Sequence, residues 1–171
     1  MVGTNFPEVQ EYLLRPGYIY VPAKPTLISA VLGSCVAVSL WDRQLAYGGM
    51  NHFLYPSIED PREATARYGN VATKTLIRLF LDGGSCLENL EAQILGGASP
   101  EAKGEAALEI GQQNILVARQ IIQKQGIPIV SQDVGGTKGR KLIYNSQANE
   151  MIVIRVDRLR RNDWYPYEGE R

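Results

Sequence analysis

Residues 27–41 constrain the fold of this chain more than any other stretch. They carry no charge and are interrupted only by Ser29, Gly33, Ser34 and Ser39. The stretch falls short of the roughly 18 consecutive apolar residues that a membrane-spanning helix needs, so it reads as core strand. From Cys35 onward it has a period of two: Val36, Val38 and Leu40 share one face, and Cys35, Ala37, Ser39 and Trp41 share the other. One face is wholly apolar.

The rest of the chain is organised around that strand. With 171 residues and 19.0 kDa, one domain over residues 1–171 is expected, with its core over about 16–156 and a charged, aromatic tail over 157–171. A hydrophobic share of 44% and a charged share of 21% exclude disorder as the working state. Lys plus Arg and Asp plus Glu both number 18, so no global field draws in nucleic acid or anionic lipid. Glu8 and Glu11 precede the first cation, Arg15, which is not the pattern of a signal peptide, and a cytoplasmic protein is expected.

Short strands are expected over residues 18–21 and within 27–41, separated by a turn at Pro22–Pro25. A hairpin follows, turning at Arg43 and Gln44 and returning over residues 47–54. Residues 57–69, with Pro61 and five charges, read as a mobile loop beside it. Asn70 is placed as the cap of a helix running to about Asp82, with Val71, Leu76, Leu79 and Phe80 inward. A strand over 90–95 is followed by a polar loop over 100–105 and a second helix with Leu108, Ile115, Ala118 and Ile122 on one face, ended by Gly126. Residues 127–132 read as a buried strand, 133–139 as a glycine-rich loop, and 141–144 with 151–156 as a second hairpin. A strand-heavy order with two strong helices indicates an α+β domain rather than a doubly wound one.

Chemistry concentrates at Cys35. Gly33 and Ser34 place it at a bend, where backbone amides can aim at an oxyanion. If Arg43 and Gln44 form the hairpin tip, Cys35 stands directly opposite His52, the chain's single histidine, at a separation that lets thiol and imidazole interact. Such a pair needs a third group to orient the ring. Ser29 offers a hydroxyl, with Thr26 as the nearest substitute. The plainer reading of Cys35 as a small buried hydrophobe stays open at this point, as does a core role for His52. Cys86 reads as structural. The glycine-rich stretches match no phosphate-binding pattern, and one histidine with two distant cysteines provides no metal site.

The motifs L-G-S-C-V-A-V at 32–38 and G-G-M-N-H at 48–52 resemble the CheD family of chemoreceptor glutamine deamidases. So do I-L-G-G-A at 94–98, I-G-Q-Q-N at 110–114 and G-I-P-I-V-S-Q-D-V-G-G-T-K-G-R at 126–140. The resemblance implies a mainly antiparallel β sandwich flanked by helices, similar to glutamine-deamidating bacterial toxins. It also implies a Cys35 nucleophile, a His52 base, and a third catalytic group at position 29, where Ser29 stands in place of the family's threonine. The implied reaction converts glutamine side chains on the cytoplasmic helices of methyl-accepting chemotaxis receptors to glutamate through a thioester, with no cofactor, no nucleic acid and no membrane insertion. The family's further partner is the CheC phosphatase. A regulatory module for CheC and receptors with weak catalysis is the alternative, as is another cysteine hydrolase such as a protease or transglutaminase.

Overall fold

The computed structural model describes residues 8–99 and 104–157, with only the backbone described at 104–108. Val36, Val38 and Leu40 are fully buried, and so is Ala37 on the opposite face. A strand buried on both sides must lie in the middle layer of three, and the remaining elements provide the outer two.

In chain order the strands are β1 (Gln10–Leu13), β2 (Tyr18–Tyr20), β3 (Thr26–Leu32), β4 (Val36–Asp42) and β5 (Tyr47–Phe53). Helix α1 (Gly69–Asp82) and β6 (Leu90–Gly96) come next, then α2 (Gly104–Lys124), β7 (Ile129–Val134), β8 (Gly139–Asn145) and β9 (Glu150–Val156). Two sheets form, in the orders β1-β3-β8-β9 and β2-β5-β4-β6-β7. Both are mixed: β1 pairs β3 and β6 pairs β7 in parallel, and the other pairs are antiparallel. The α+β expectation holds.

Ile28, Ala30, Leu32, Ala37, Met50, Leu95, Leu142 and Tyr144 fill the space between the sheets. On the other face of the five-stranded sheet, Val36, Val38, Leu40 and Phe53 pack against Ala72, Leu76, Ile77 and Phe80 of α1 and Ile115, Ala118 and Ile122 of α2. The uncharged stretch 27–41 is therefore two strands in two different sheets. Gly33, Ser34 and Cys35 carry the chain across from one to the other.

Several local expectations are corrected. The first hairpin turns over four residues, 43–46, with Asp42 opposite Tyr47. Asp42 Oδ1 accepts the amides of Gln44 and Leu45, Ala46 N–H bonds to Asp42 O, and Ala46 takes a left-handed φ of 54°. The aspartate thus stabilises a longer turn than the tightest one. Asn70 is not the cap of α1, whose N-cap is Tyr68. Its carboxamide instead donates to Ile58 O and accepts from Ile58 N, which together with the Leu54 N–H to Arg67 O bond pins the 57–69 segment to the domain. Leu79 faces solvent, and Ala72, Thr73 and Ile77 take the inward positions. β7 is an edge strand with Val130 exposed rather than a buried one. α2 begins at Gly104, inside the stretch expected to be loop. The side chain of Leu108 and the tail after Arg158 lie outside the described residues.

Candidate active site

Cys35 sits at the crossing between the sheets, immediately before β4, and its side chain packs against the inter-sheet cluster. It is partly exposed. His52 lies on β5, opposite Ala37 and Tyr18, and shares the inter-sheet face with Ala37 and Met50. It is fully buried.

The expected register is corrected by two residues. The four-residue turn places His52 beside Ala37, so Cys35 is its diagonal neighbour rather than its direct partner. A shift of two keeps both residues on one face, because side chains alternate with a period of two. Diagonal neighbours have Cβ atoms roughly 7 Å apart, a gap that a thiol and an imidazole can close between them. In the resting structure they share no hydrogen bond: His52 Nε2 is buried without a partner among the described residues.

The ring is held from its other side. His52 Nδ1 lies 3.0 Å from the carbonyl oxygen of Leu14, just beyond β1. A carbonyl can only accept, so Nδ1 carries the proton and Nε2 is left as the base. Burial holds His52 down to about 4, with the Leu14 bond opposing, and it is neutral at physiological pH. Burial also pushes the Cys35 thiol up to about 12, against a smaller lowering by its own backbone amide. The resting pair is a neutral thiol beside a neutral imidazole.

Ser29 is placed elsewhere. Alternation along β3 sends Ile28, Ala30 and Leu32 into the inter-sheet cluster and turns Ser29 to the other face. Its hydroxyl donates to Tyr12 O at 3.5 Å, and its carbonyl accepts Leu14 N–H at 2.8 Å. Ser29 thus reaches His52 only through the backbone of residues 12–14. Thr26 is bonded to Lys24 O and Ser146. Cys86 is exposed.

Gly33 and Ser34 form the crossing itself. Gly33 O accepts Ala98 N–H at 2.9 Å, and Cys35 O accepts Gly97 N–H at 2.8 Å, so the turn after β6 fixes the crossing from below. Outside the strand ladders, no acceptor among the described residues takes the amides of Ser34 or Cys35 from another residue. This turn requires glycine: Gly96 has φ +103°, and a Cβ there would collide with Cys35 O. Gly111 of α2 also faces Gly97 and Ala98 closely, with 2.7 Å left between a Cβ and Gly97 O. The 135–138 loop backs the same turn through Gly135 N–H to Gly96 O and Ser99 N–H to Gly136 O. Buried Arg140 holds that loop by bonding Asp133, Gly135 O and Lys138 O. The glycine-rich motifs, read from sequence as tight turns, are turns that support Cys35.

One contributor was not among the candidate site residues, although it closes the I-G-Q-Q-N motif at 110–114. Asn114 of α2, fully buried, donates both amide protons, to Ser34 O and to Leu54 O, each at 2.9 Å. Among the described residues no group of three or more metal-ligating side chains is present, and no helix is long and apolar enough to cross a membrane.

Comparison with known proteins places the chain in a family. The sequence model described as CheD chemotactic sensory transduction matches residues 55–155. A protein named probable chemoreceptor glutamine deamidase CheD from Trichlorobacter lovleyi is 39% identical over 86% of this chain and 91% of its own length. Another of that name from Sulfurimonas denitrificans is 34% identical over 88% of this chain and 97% of its own. One named probable chemoreceptor glutamine deamidase CheD 1, from Anaeromyxobacter dehalogenans, is 42% identical over 77% of each. On these matches, the chain belongs to the CheD family.

Proposed function

We propose that this protein is a glutamine deamidase of chemotaxis receptors, with Cys35 as nucleophile and His52 as general base and acid. The observation that carries the reading is the state of His52: fully buried, its Nδ1 fixed by Leu14 O, its Nε2 bonded to no described residue on the face it shares with Cys35. A buried, unpartnered nitrogen calls for an explanation, and a base waiting for a thiol proton is one. The relatives' names supply the substrate class.

The neutral resting pair sets the order of events. Nε2 takes the thiol proton as Sγ attacks the carboxamide carbon, and the carbonyl oxygen becomes an oxyanion facing the amides of Ser34 and Cys35. The imidazolium returns the proton to the nitrogen, the C–N bond breaks, and ammonia leaves a thioester on Cys35. Water, deprotonated by Nε2, then attacks the thioester carbon. The C–S bond breaks and the proton returns to sulfur, giving glutamate and the free thiol. Glutamine and water become glutamate and ammonia, with no electron transferred and no cofactor required. Leu14 O keeps the ring in the productive tautomer throughout.

The receptors' cytoplasmic helices are the surface on which such glutamines would be presented, and we assign the reaction to the cytoplasm on that reading. The test is mass spectrometry of a chemoreceptor cytoplasmic fragment incubated with the protein and with Cys35→Ala. Glutamine-to-glutamate conversion by the unaltered protein alone is the expected result. Absence of conversion by either, with the fragment or the CheC phosphatase still bound, would favour a regulatory binding module instead.

A further inference from the structure

We infer that Asn114 is a positioning residue that aims the oxyanion-binding amide of Cys35 by clamping the peptide unit between Ser34 and Cys35. The inference rests on the deamidase reading and adds a residue to it. Asn114 lies on α2, remote in sequence from both Cys35 and His52, and donates one proton to Ser34 O and the other to Leu54 O. The first carbonyl immediately precedes Cys35, and the second lies two residues past His52. One carboxamide therefore ties together the two backbone segments that carry the reacting pair.

The Ser34 contact acts on a particular atom. Ser34 C=O and Cys35 N–H belong to one planar trans peptide, in which the two bonds point in opposite directions. Holding the oxygen toward α2 fixes the N–H on the side away from it. A hydrogen bond accepted by the carbonyl also polarises the N–H across the same amide, strengthening it as a donor. Outside the ladders, no other described residue accepts from that amide, which faces the Cys35 sulfur, the side on which an oxyanion would form.

The orientation of the carboxamide is settled by its neighbours, since two carbonyls can be approached only by the nitrogen. Its Oδ1 is buried without a partner among the described residues. An apolar side chain of similar size would fill this position without burying an unpaired oxygen, so packing alone does not account for the asparagine. The close approach of α2 needed for the clamp is provided by Gly111 against Gly97 and Ala98.

The test uses Asn114→Asp, which preserves shape but removes both donors, and Asn114→Ala, each in a Cys86→Ser background so that one thiol is observed. On a receptor fragment, both variants are expected to lose about a hundredfold in kcat with KM little changed, the pattern of an interaction made in the transition state. Independently of any deamidation, the pH profile of Cys35 alkylation by iodoacetamide is expected to move to higher pH, because the amide no longer faces the sulfur squarely. A folded variant with both the alkylation profile and kcat unchanged would overturn the inference. So would failure of both variants to fold, which would make Asn114 a requirement of the core. If the unaltered protein deamidates nothing, the deamidase reading fails, and the alkylation profile alone decides whether the clamp aims the amide.

Discussion

His52 donates its Nδ1 proton to Leu14 O across 3.0 Å, and this bond joins the two sheets at the site. The His52 ring is held by a main-chain carbonyl, and the Ser29 hydroxyl, expected to orient it, bonds Tyr12 O instead. Ser29 supports the Leu14 carbonyl indirectly, by accepting Leu14 N–H with its own.

Ser29→Ala is therefore expected to be mild. It deletes one long bond to Tyr12 O and leaves the Leu14–His52 contact intact. Deamidation kinetics should show kcat/KM reduced by less than about tenfold. A loss as large as that of Cys35→Ala would mean that the hydroxyl reaches the ring during turnover.

Burial lowers His52 to about 4 in the folded protein, the Leu14 bond opposing, against 6.5 for the free side chain. Between those values the unfolded chain binds a proton that the folded one does not, so stability rises with pH across that window. The contribution is complete above about 6.5 and is lost as pH falls toward 4, a span of roughly 3 kcal/mol. Urea unfolding from pH 4 to 7 should show this slope, and His52→Gln should flatten it. An unchanged slope in the variant would place the titration elsewhere.

The two thiols should react in an order opposite to that of an enzyme with a preformed thiolate. Cys35 is raised to about 12 by burial, whereas Cys86 is exposed. Iodoacetamide at pH 8, followed by peptide mapping, should label Cys86 roughly a hundredfold faster or more. Faster labelling of Cys35 would indicate a thiolate–imidazolium pair in the resting protein.

Gly96→Ala should disable the site without touching either reacting group. The position has φ +103°, and an added Cβ would press on Cys35 O. Left-handed strain alone costs about 1–2 kcal/mol, and relief of the collision must move the crossing. A loss of activity well beyond the loss of folded protein, by circular dichroism, is expected. A folded and fully active variant would show that the 96–98 turn does not set the position of Cys35.

The parts of the candidate site that could be read from the sequence, and those that could not, divide along one physical line. Cys35 and His52 stood out as candidates because their chemistry is in side chains, and the bend at 33–35 because Gly33 and Ser34 mark it. That both share one face was visible because strands have a period of two. Their register was not, because Asp42 stabilises a four-residue turn that its neighbours in sequence do not announce. The assignment of residues 27–41 to two sheets was hidden for the same reason: apolar strands in either sheet look alike until their partners are known. Leu14 acts through its backbone, which residue type does not reveal, and Asn114 reads as one polar residue among several on an amphipathic helix. The exposure of β7 follows from its place at the sheet's edge, which tertiary order alone decides.

The most direct test of the central claim is to quench the reaction with receptor fragment in acid and map the acyl-enzyme by mass spectrometry. The account predicts a thioester between a receptor glutamyl group and Cys35, absent in Cys35→Ala and accumulating or slowed in His52→Gln. An adduct on Cys86, or deamidation that continues in Cys35→Ala, would contradict it.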